Sequence, residues 1–487
     1  MSKSLKQQTV SGLFWSIADK TVEQASRFII GIILARLLLP ADFGIIGMVT
    51  VFMVVSQSFI DSGFGQALIQ NRDAKQRDFS TAFYFNIAIA LIMYSLIYLS
   101  ADFIATFMKN ELVGPVLRVI SIALVVNSFG VIQRAILIKN IDFKTQLWIQ
   151  VASNLFSGGL AILLALKGYG VWSLVCKLIA KSCVDTTLLW VLNRWRPTWE
   201  FCWKSFRQMF AFGGRILVSD VINKLYRNLY YFIIGRFFSA SDLGFYSRAE
   251  QFEQLPSNIL TLTLQRVTYP VLCKVTDDGD NLKLKFRLFY RNIAYIVIPL
   301  MAILAIVSKP LIEVLIGSKW LPSVQYLRLL CIAGMVVPLS YLNINLLKVK
   351  GRTDILLKLE IVKKLLAVPI VIVSMRFGIT GLIYGLILAS IIEFSLNSYF
   401  SGRLIRYHIL TQVTDAMPFV FGAVCISLVV YVSGLILPAN IYIQLIVKTS
   451  LGLIMMAGWG KMLKMQAVDI SIHFLQRIAL SAKGMFK

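Results

Sequence analysis

Asp220, Lys224, Arg227 and Tyr231 follow one another at spacings of four, three and four residues. In a helix those spacings put all four side chains on one face. Lys20, Glu23, Gln24 and Arg27 share a face in the same way near the start of the chain. Such faces suit an anion, because Arg offers a planar fork of donors, Lys a compact charge, and both take phosphate. The acidic neighbours leave a second outcome open, in which Lys20 pairs with Glu23 and Asp220 with Lys224 merely to hold the helices. Asp61, Arg248, Glu250, Glu253 and Arg266 extend the set. Asn223, Tyr226 and Tyr230 add hydrogen-bonding groups beside it.

Other chemistries find little support. Two histidines, His408 and His473, and six scattered cysteines without a CxxC pair offer no metal-ligand set. No GxxxxGK[ST] phosphate loop is present, so ATP is not expected as a direct energy source, and no cofactor is implied. Asp277-Asp278-Gly279-Asp280 reads as a solvated turn, and Asp42 and Asp242 as helix-capping residues. Glu360 and Glu393 lie within apolar stretches. They are open to two readings, proton carriage or pairing with Lys363 or another base.

The elements that carry these charges are membrane helices. Of 487 residues, 57% are hydrophobic and 15% charged, with mean hydropathy +0.74. A water-soluble chain of that length has no way to hide so much apolar surface. Stretches of about 20 apolar residues predict fourteen spans, at 10–37, 43–64, 80–101, 113–134, 145–166, 169–192, 210–236, 243–269, 286–308, 322–347, 354–376, 379–400, 416–437 and 441–460. The first span carries Asp19, Lys20, Glu23 and Arg27 and no small-residue cleavage site, so it reads as retained rather than as a signal peptide. With the N-terminus in the cytoplasm, about 28 of the 49 Lys and Arg fall in cytoplasmic segments and about 7 outside. Most of the net charge of +25 is therefore topology, with contact to anionic membrane lipids as a secondary effect; nucleic acid is not needed to explain it.

The chain also repeats itself. Arg27, Arg36, Asp42 and Gly44 recur as Arg227, Arg236, Asp242 and Gly244. The pattern Phe83-Tyr84-x-Asn86-Ile87-Ala88 recurs as Phe289-Tyr290-x-Asn292-Ile293-Ala294, and Leu117-Arg118 as Leu327-Arg328. Six spans duplicated into six give a parallel repeat, whose halves enclose a central path opened by alternating access. The predicted organisation is an N-lobe at 1–192, an interfacial cytoplasmic linker at 193–209, a C-lobe at 210–400, and two further spans with a cytoplasmic tail at 401–487. The aromatic and basic stretch 193–207 suits either a helix lying in the interface or an aromatic belt. Arg27 and Arg227, at equivalent repeat positions, are expected on opposite sides of one central, cationic cavity.

Five stretches carry a family resemblance: TVSGLFWS, ARLLLPADFGIIG, DSGFGQALIQ, YPVLCKVTDD and IGSKWLPSVQYLRLL. Together they resemble the Wzx-type polysaccharide flippases, nearest the colanic-acid-type branch, within the superfamily of multidrug, oligosaccharidyl-lipid and polysaccharide exporters. The resemblance implies an all-α polytopic membrane protein of 14 helices in the bacterial inner membrane. It implies a substrate, undecaprenyl-diphosphate-linked oligosaccharide, moved to the periplasmic leaflet without enzymatic chemistry. It implies cavity cations at Lys20, Arg27, Lys224, Arg227 and Arg248, and it makes polysaccharide polymerase and assembly proteins candidate partners. On this reading Asn223, Tyr226 and Tyr230 line the sugar path, while Glu23, Asp61, Asp220 and Glu253 are polar or coupling groups. Two alternatives stand beside it: a cation-coupled drug exporter of the same superfamily, and a membrane polysaccharide polymerase or ligase.

Overall fold

A computed structural model describes residues 5–61, 63–71, 73–276, 278–438 and 440–465. Among these residues the regular elements are helices without strands, as the hydropathy pattern predicts. The chain runs α1 (Leu5–Leu37), α2 (Pro40–Asp61), the short α3 (Phe64–Gln70), α4 (Gln76–Met108), α5 (Val113–Ile120), α6 (Ile122–Lys139), α7 (Phe143–Leu166), α8 (Val171–Leu192), α9 (Trp203–Arg227) and α10 (Leu229–Phe237). It continues through α11 (Ala240–Cys273), α12 (Gly279–Leu315), α13 (Pro322–Val349), α14 (Thr353–Ser374), α15 (Gly378–Leu404), α16 (Ile409–Ile436) and α17 (Ile441–Met462).

Among the described residues, nine stretches are long and apolar enough to cross a membrane, and one of them, Thr353–Leu404, contains both α14 and α15. The predicted spans outside these nine correspond to α1, α8, α9 with α10, and α11. Those helices carry the intramembrane charges, Lys177, Lys181 and Asp185 on α8 for example, and charge is what removes them from an apolarity criterion. Large apolar side chains such as Leu99, Phe103, Leu163 and Leu435 stand exposed on the helices. Surfaces of that kind are stable against lipid and not against water.

The chain divides into two compact units, Met1–Ser247 and Arg248–Lys487. The boundary falls inside α11, so α9 and α10 belong with the first unit. The lobes read from the repeat divide the chain differently, because duplication and packing are different criteria.

Within each unit the duplication is visible as equivalent contacts. Arg118 on α5 donates to Asp102 on α4 at 2.6 Å, and Arg328 on α13 donates to Ser308 on α12 at 3.2 Å. Lys139, ending α6, donates to the Leu68 and Asn71 carbonyls at 3.2 and 2.8 Å, and Lys350, following α13, donates to the Thr276 carbonyl at 2.7 Å. Asp42 and Asp242 both accept a backbone N–H three residues before them, from Leu39 at 2.9 Å and Ser239 at 3.3 Å. Both are capping residues, as their sequence context predicts.

The linker departs from a helical reading. Residues 193–202 are not helical, and α9 begins at Trp203. The reason is local: Pro197 disfavours helix for the residue before it. The backbone N–H groups of Thr198 and Cys202 are taken by the Ser80 and Thr81 hydroxyls of α4, each at 2.9 Å. Trp195 packs on Phe79 and Phe83, and its indole N–H donates to Gln76 at 2.7 Å.

Candidate functional site

The first unit holds a cavity of about 770 Å³ lined by residues of α1, α2, α3 and α5 to α9. That volume falls in the ~300–1,000 Å³ range of ligand pockets. Its wall mixes Gln57, Gln66, Asn127 and Gln150 with seven charged residues: Glu23, Asp61, Asp185, Asp220, Arg134, Lys181 and Lys224. Among the described residues, four carboxylates against three cations make a charge-mixed wall. The physical reason is that a charge inside a bundle of apolar helices needs a counter-charge or water beside it.

The pairing is explicit. Lys224 Nζ lies 2.8 Å from Asp220 Oδ2 one turn earlier on α9. Arg134 on α6 lies 3.5 Å from Asp185 on α8, and Gln57 donates to Asp61 at 2.9 Å on α2. Asp61 also lies in the field of Lys224, Arg134 and Asp220, which ties α2, α6 and α9 into one electrostatic cluster. Arg27 pairs with Glu23 at 3.1 Å along α1.

The structure thus brings together Glu23, Asp61, Asp220 and Lys224 in one wall. Arg27, Arg227, Asn223, Tyr226 and Tyr230 lie outside that wall among the described residues. Arg27 and Arg227 are both exposed. Asn223 donates to Ser219 at 3.5 Å, and the Tyr230 ring stacks on Tyr246. Lys20 lies on α1 and Arg266 on α11, but their side chains are outside the described residues. Arg248 and Glu253 belong to the second unit, where Ser257 donates to Glu253 at 2.6 Å and Gly334 leaves room for the Glu253 carboxylate.

Sequence reasoning missed Arg134, Lys181 and Asp185. A signal was present: Lys177, Lys181 and Asp185 repeat every four residues along the sixth predicted span. It also missed the break in the seventh span. The helix stops at Arg227 and restarts at Leu229, and Asn228 turns both its backbone N–H and its side-chain amide onto the Lys224 carbonyl, at 3.1 and 2.8 Å.

In the second unit Glu360 and Glu393 both pair with Lys363, at 2.7 and 3.1 Å, so the pairing reading of these glutamates holds. Asp277 lies outside the described residues, while Asp278 caps α12 by accepting from the Asn281 N–H at 3.0 Å.

Residues 33–325 match the family described as "Polysaccharide biosynthesis protein". The chain belongs to that family. The matched residues run from α1 into α13 and include every wall residue of the cavity except Glu23. Within the polysaccharide biosynthesis proteins, the chain is 27% identical to the teichuronic acid biosynthesis protein TuaB of Bacillus subtilis, over 72% of this chain and 73% of that one. It is 25% identical to the lipopolysaccharide biosynthesis protein WzxC of Escherichia coli, over 82% of this chain and 81% of the relative. The resemblance to Wzx-type proteins read from the five motifs is thereby borne out. Among solved structures, the lipid II flippase MurJ in an inward closed conformation superposes with a TM-score of 0.75 at 13% identity, covering 93% of this chain and 98% of that one. An inward-facing MATE-family multidrug transporter gives 0.62 at 14% identity, covering 80% and 99%. The fold is that of these exporters.

Proposed function

We propose that this chain is a flippase that carries undecaprenyl-diphosphate-linked oligosaccharide repeat units across the bacterial inner membrane by alternating access. The observation that carries the reading is the cavity. Within a bundle of apolar helices it holds paired cations, Lys224 with Asp220 and Arg134 with Asp185, among amides suited to sugar hydroxyls. A diphosphate crossing hydrocarbon unaided meets a prohibitive desolvation cost, which a polar cavity with fixed cations offsets. Family membership and the named roles of TuaB and WzxC in polysaccharide biosynthesis support the same substrate class.

On this reading all fourteen spans cross the bilayer, both termini face the cytoplasm, and the repeat-based lobes rock against each other. Lys20, Arg27, Arg227 and Arg248 are further cations met by the headgroup along its route, and Asn223, Tyr226 and Tyr230 contact its sugars. Polymerase and assembly proteins receive the product. Complementation of a flippase-deficient strain tests the proposal. Lys224→Ala and Arg227→Ala are expected to abolish complementation without loss of membrane protein; full complementation by both removes the assignment.

A second reading has one observation in its favour. The four carboxylates Glu23, Asp61, Asp185 and Asp220 in the wall also suit a cationic drug, and a MATE-family transporter shares the fold. Dye efflux from inverted vesicles, with no change in lipid-linked glycan distribution, would favour that reading.

A further inference from the structure

Arg134 and Lys181 enter the cavity wall from α6 and α8, helices that contribute none of the cations singled out by the sequence pattern. Asp185 connects them. Its side chain is only 9% exposed and holds Arg134 at 3.5 Å, while Arg134 itself is 48% exposed. The carboxylate is therefore the buried member of the pair, and the guanidinium is the member presented to open space. Lys181 stands four residues before Asp185 on the same face of α8 and feels the charges of Asp185, Arg27, Glu23 and Arg134. Its ammonium makes no ion pair among the described residues.

Asp185 lies within ion-pair distance of Arg134 alone, so among the described residues the Lys181 ammonium stands in the cavity wall without a carboxylate in contact. An ammonium held in a membrane helix without a counter-charge in contact is costly. A charge kept at that cost marks a place where a counter-charge arrives. By contrast, Asp220 fully matches Lys224 at the α9 side of the cavity, and Asp61 is held by Gln57. The wall thus has one side where cation and carboxylate are in contact and another where the Arg134 guanidinium and the Lys181 ammonium are presented to the cavity. The buried Gln150 Oε1, without a hydrogen-bond partner among the described residues, adds an acceptor for a hydroxyl in the wall.

We propose that Arg134 and Lys181, beside Asp185, form a second headgroup-binding station that takes an anionic oxygen group of the substrate. That group is a phosphate of the diphosphate or a carboxylate of an acidic sugar. The inference rests on the flippase reading, since it assigns residues toward that reading's anionic substrate. Two stations on separate helices give a headgroup two fixed points, which orients it rather than merely attracting it.

Binding of two anionic probes to the purified full-length protein in detergent tests this. Geranylgeranyl diphosphate and glucuronate are compared with the neutral geranylgeraniol and glucose. Wild-type protein that binds neither anion removes the flippase reading itself. If it binds one, Arg134→Gln and Lys181→Gln are each expected to weaken that anion about tenfold, the size of one charge-assisted hydrogen bond. Binding of the neutral counterpart and of the anion to Arg352→Gln, an exposed cation on the α13–α14 connection, stays unchanged. Loss confined to the diphosphate identifies a phosphate station, and loss confined to glucuronate an acidic-sugar station. Arg134→Lys, which keeps the charge, recovers part of the affinity. Wild-type affinity for both anions in Lys181→Gln, a residue whose loss breaks no ion pair, overturns the proposal even where Arg134→Gln does not fold. Equal weakening of anionic and neutral probes also overturns it, because it marks a structural effect.

Discussion

Gly44 and Gly244 stand in reciprocal contact. A side chain at Gly44 would meet the Ala240 carbonyl at the start of α11, and one at Gly244 would meet the Pro40 carbonyl at the start of α2. The glycines are repeat equivalents, and so are Pro40 and Ala240, each pair 200 positions apart. The contact is therefore self-complementary, as a local two-fold axis requires. Two helix starts approach backbone to backbone here, and only residues without a Cβ permit it.

Alanine at either glycine is expected to destabilise by about 1–3 kcal/mol, the range of overpacked cores, because a backbone carbonyl cannot rotate aside. Gly44→Ala and Gly244→Ala should lower the melting temperature of the purified protein by similar amounts. Gly159→Ala, where a Cβ meets open space, should be neutral or slightly stabilising. A large loss at one repeat glycine and none at the other would contradict the reciprocal contact.

Lys224 is expected to matter through its charge. Lys224→Gln should abolish complementation at wild-type membrane abundance, with lipid-linked repeat units accumulating on the cytoplasmic face. Lys224→Arg should retain part of the function. Mass spectrometry of lipid-linked glycans, with a surface-accessibility probe, reads the outcome.

Much of this was legible from the sequence, and the misses have physical causes. The helical class, most spans and the duplication follow from apolar length and from repeated residues such as Asp42/Asp242 and Arg118/Arg328. The Asp220–Lys224 pair follows from helical spacing alone; Glu23, read from sequence as a partner of Lys20, pairs with Arg27 one turn later. Arg134–Asp185 was not legible, because it joins helices 51 residues apart through packing that no local spacing encodes. The break at Asn228 was hidden as well, since the apolar run of α10 continues the pattern across a side-chain hydrogen bond to Lys224. Of the four wall carboxylates, Glu23, Asp61 and Asp220 were legible beside the cations, and Asp185 was not.

The Glu360–Lys363–Glu393 cluster predicts a stability result. Lys363 is 7% exposed, and its removal leaves two half-exposed carboxylates side by side on α14 and α15. Breaking a buried pair costs ~3–5 kcal/mol; partial exposure of both glutamates reduces this to about 1–3 kcal/mol. Lys363→Met should lower the melting temperature, and the triple Glu360→Gln, Lys363→Met, Glu393→Gln variant should recover most of it. An unchanged melting temperature in Lys363→Met would remove the structural role.

Cys202 offers a topological test with a defined pH response. Cys202 stands at the N-terminus of α9, where Ser205, Lys204 and the Arg77 charge hold its thiol below its ordinary value. More thiolate is then present at neutral pH, so maleimide modification should run faster than at an ordinary thiol and level off at a lower pH. With the linker in the cytoplasm, an impermeant maleimide should label Cys202 only after the inner membrane is opened. Labelling from the periplasm in intact membranes would reverse the topology.

The flippase reading is tested most directly in vesicles holding the purified protein and an undecaprenyl-diphosphate-linked glycan with a fluorescent sugar. A membrane-impermeant quencher reports the fraction in the outer leaflet over time. Wild-type protein should let essentially all of the label become accessible, while protein-free vesicles and vesicles with Lys224→Gln should stop at the outer-leaflet fraction present at the start. Equal accessibility with wild-type and Lys224→Gln protein, or no movement beyond protein-free vesicles, would contradict the assignment of this cavity to headgroup transport.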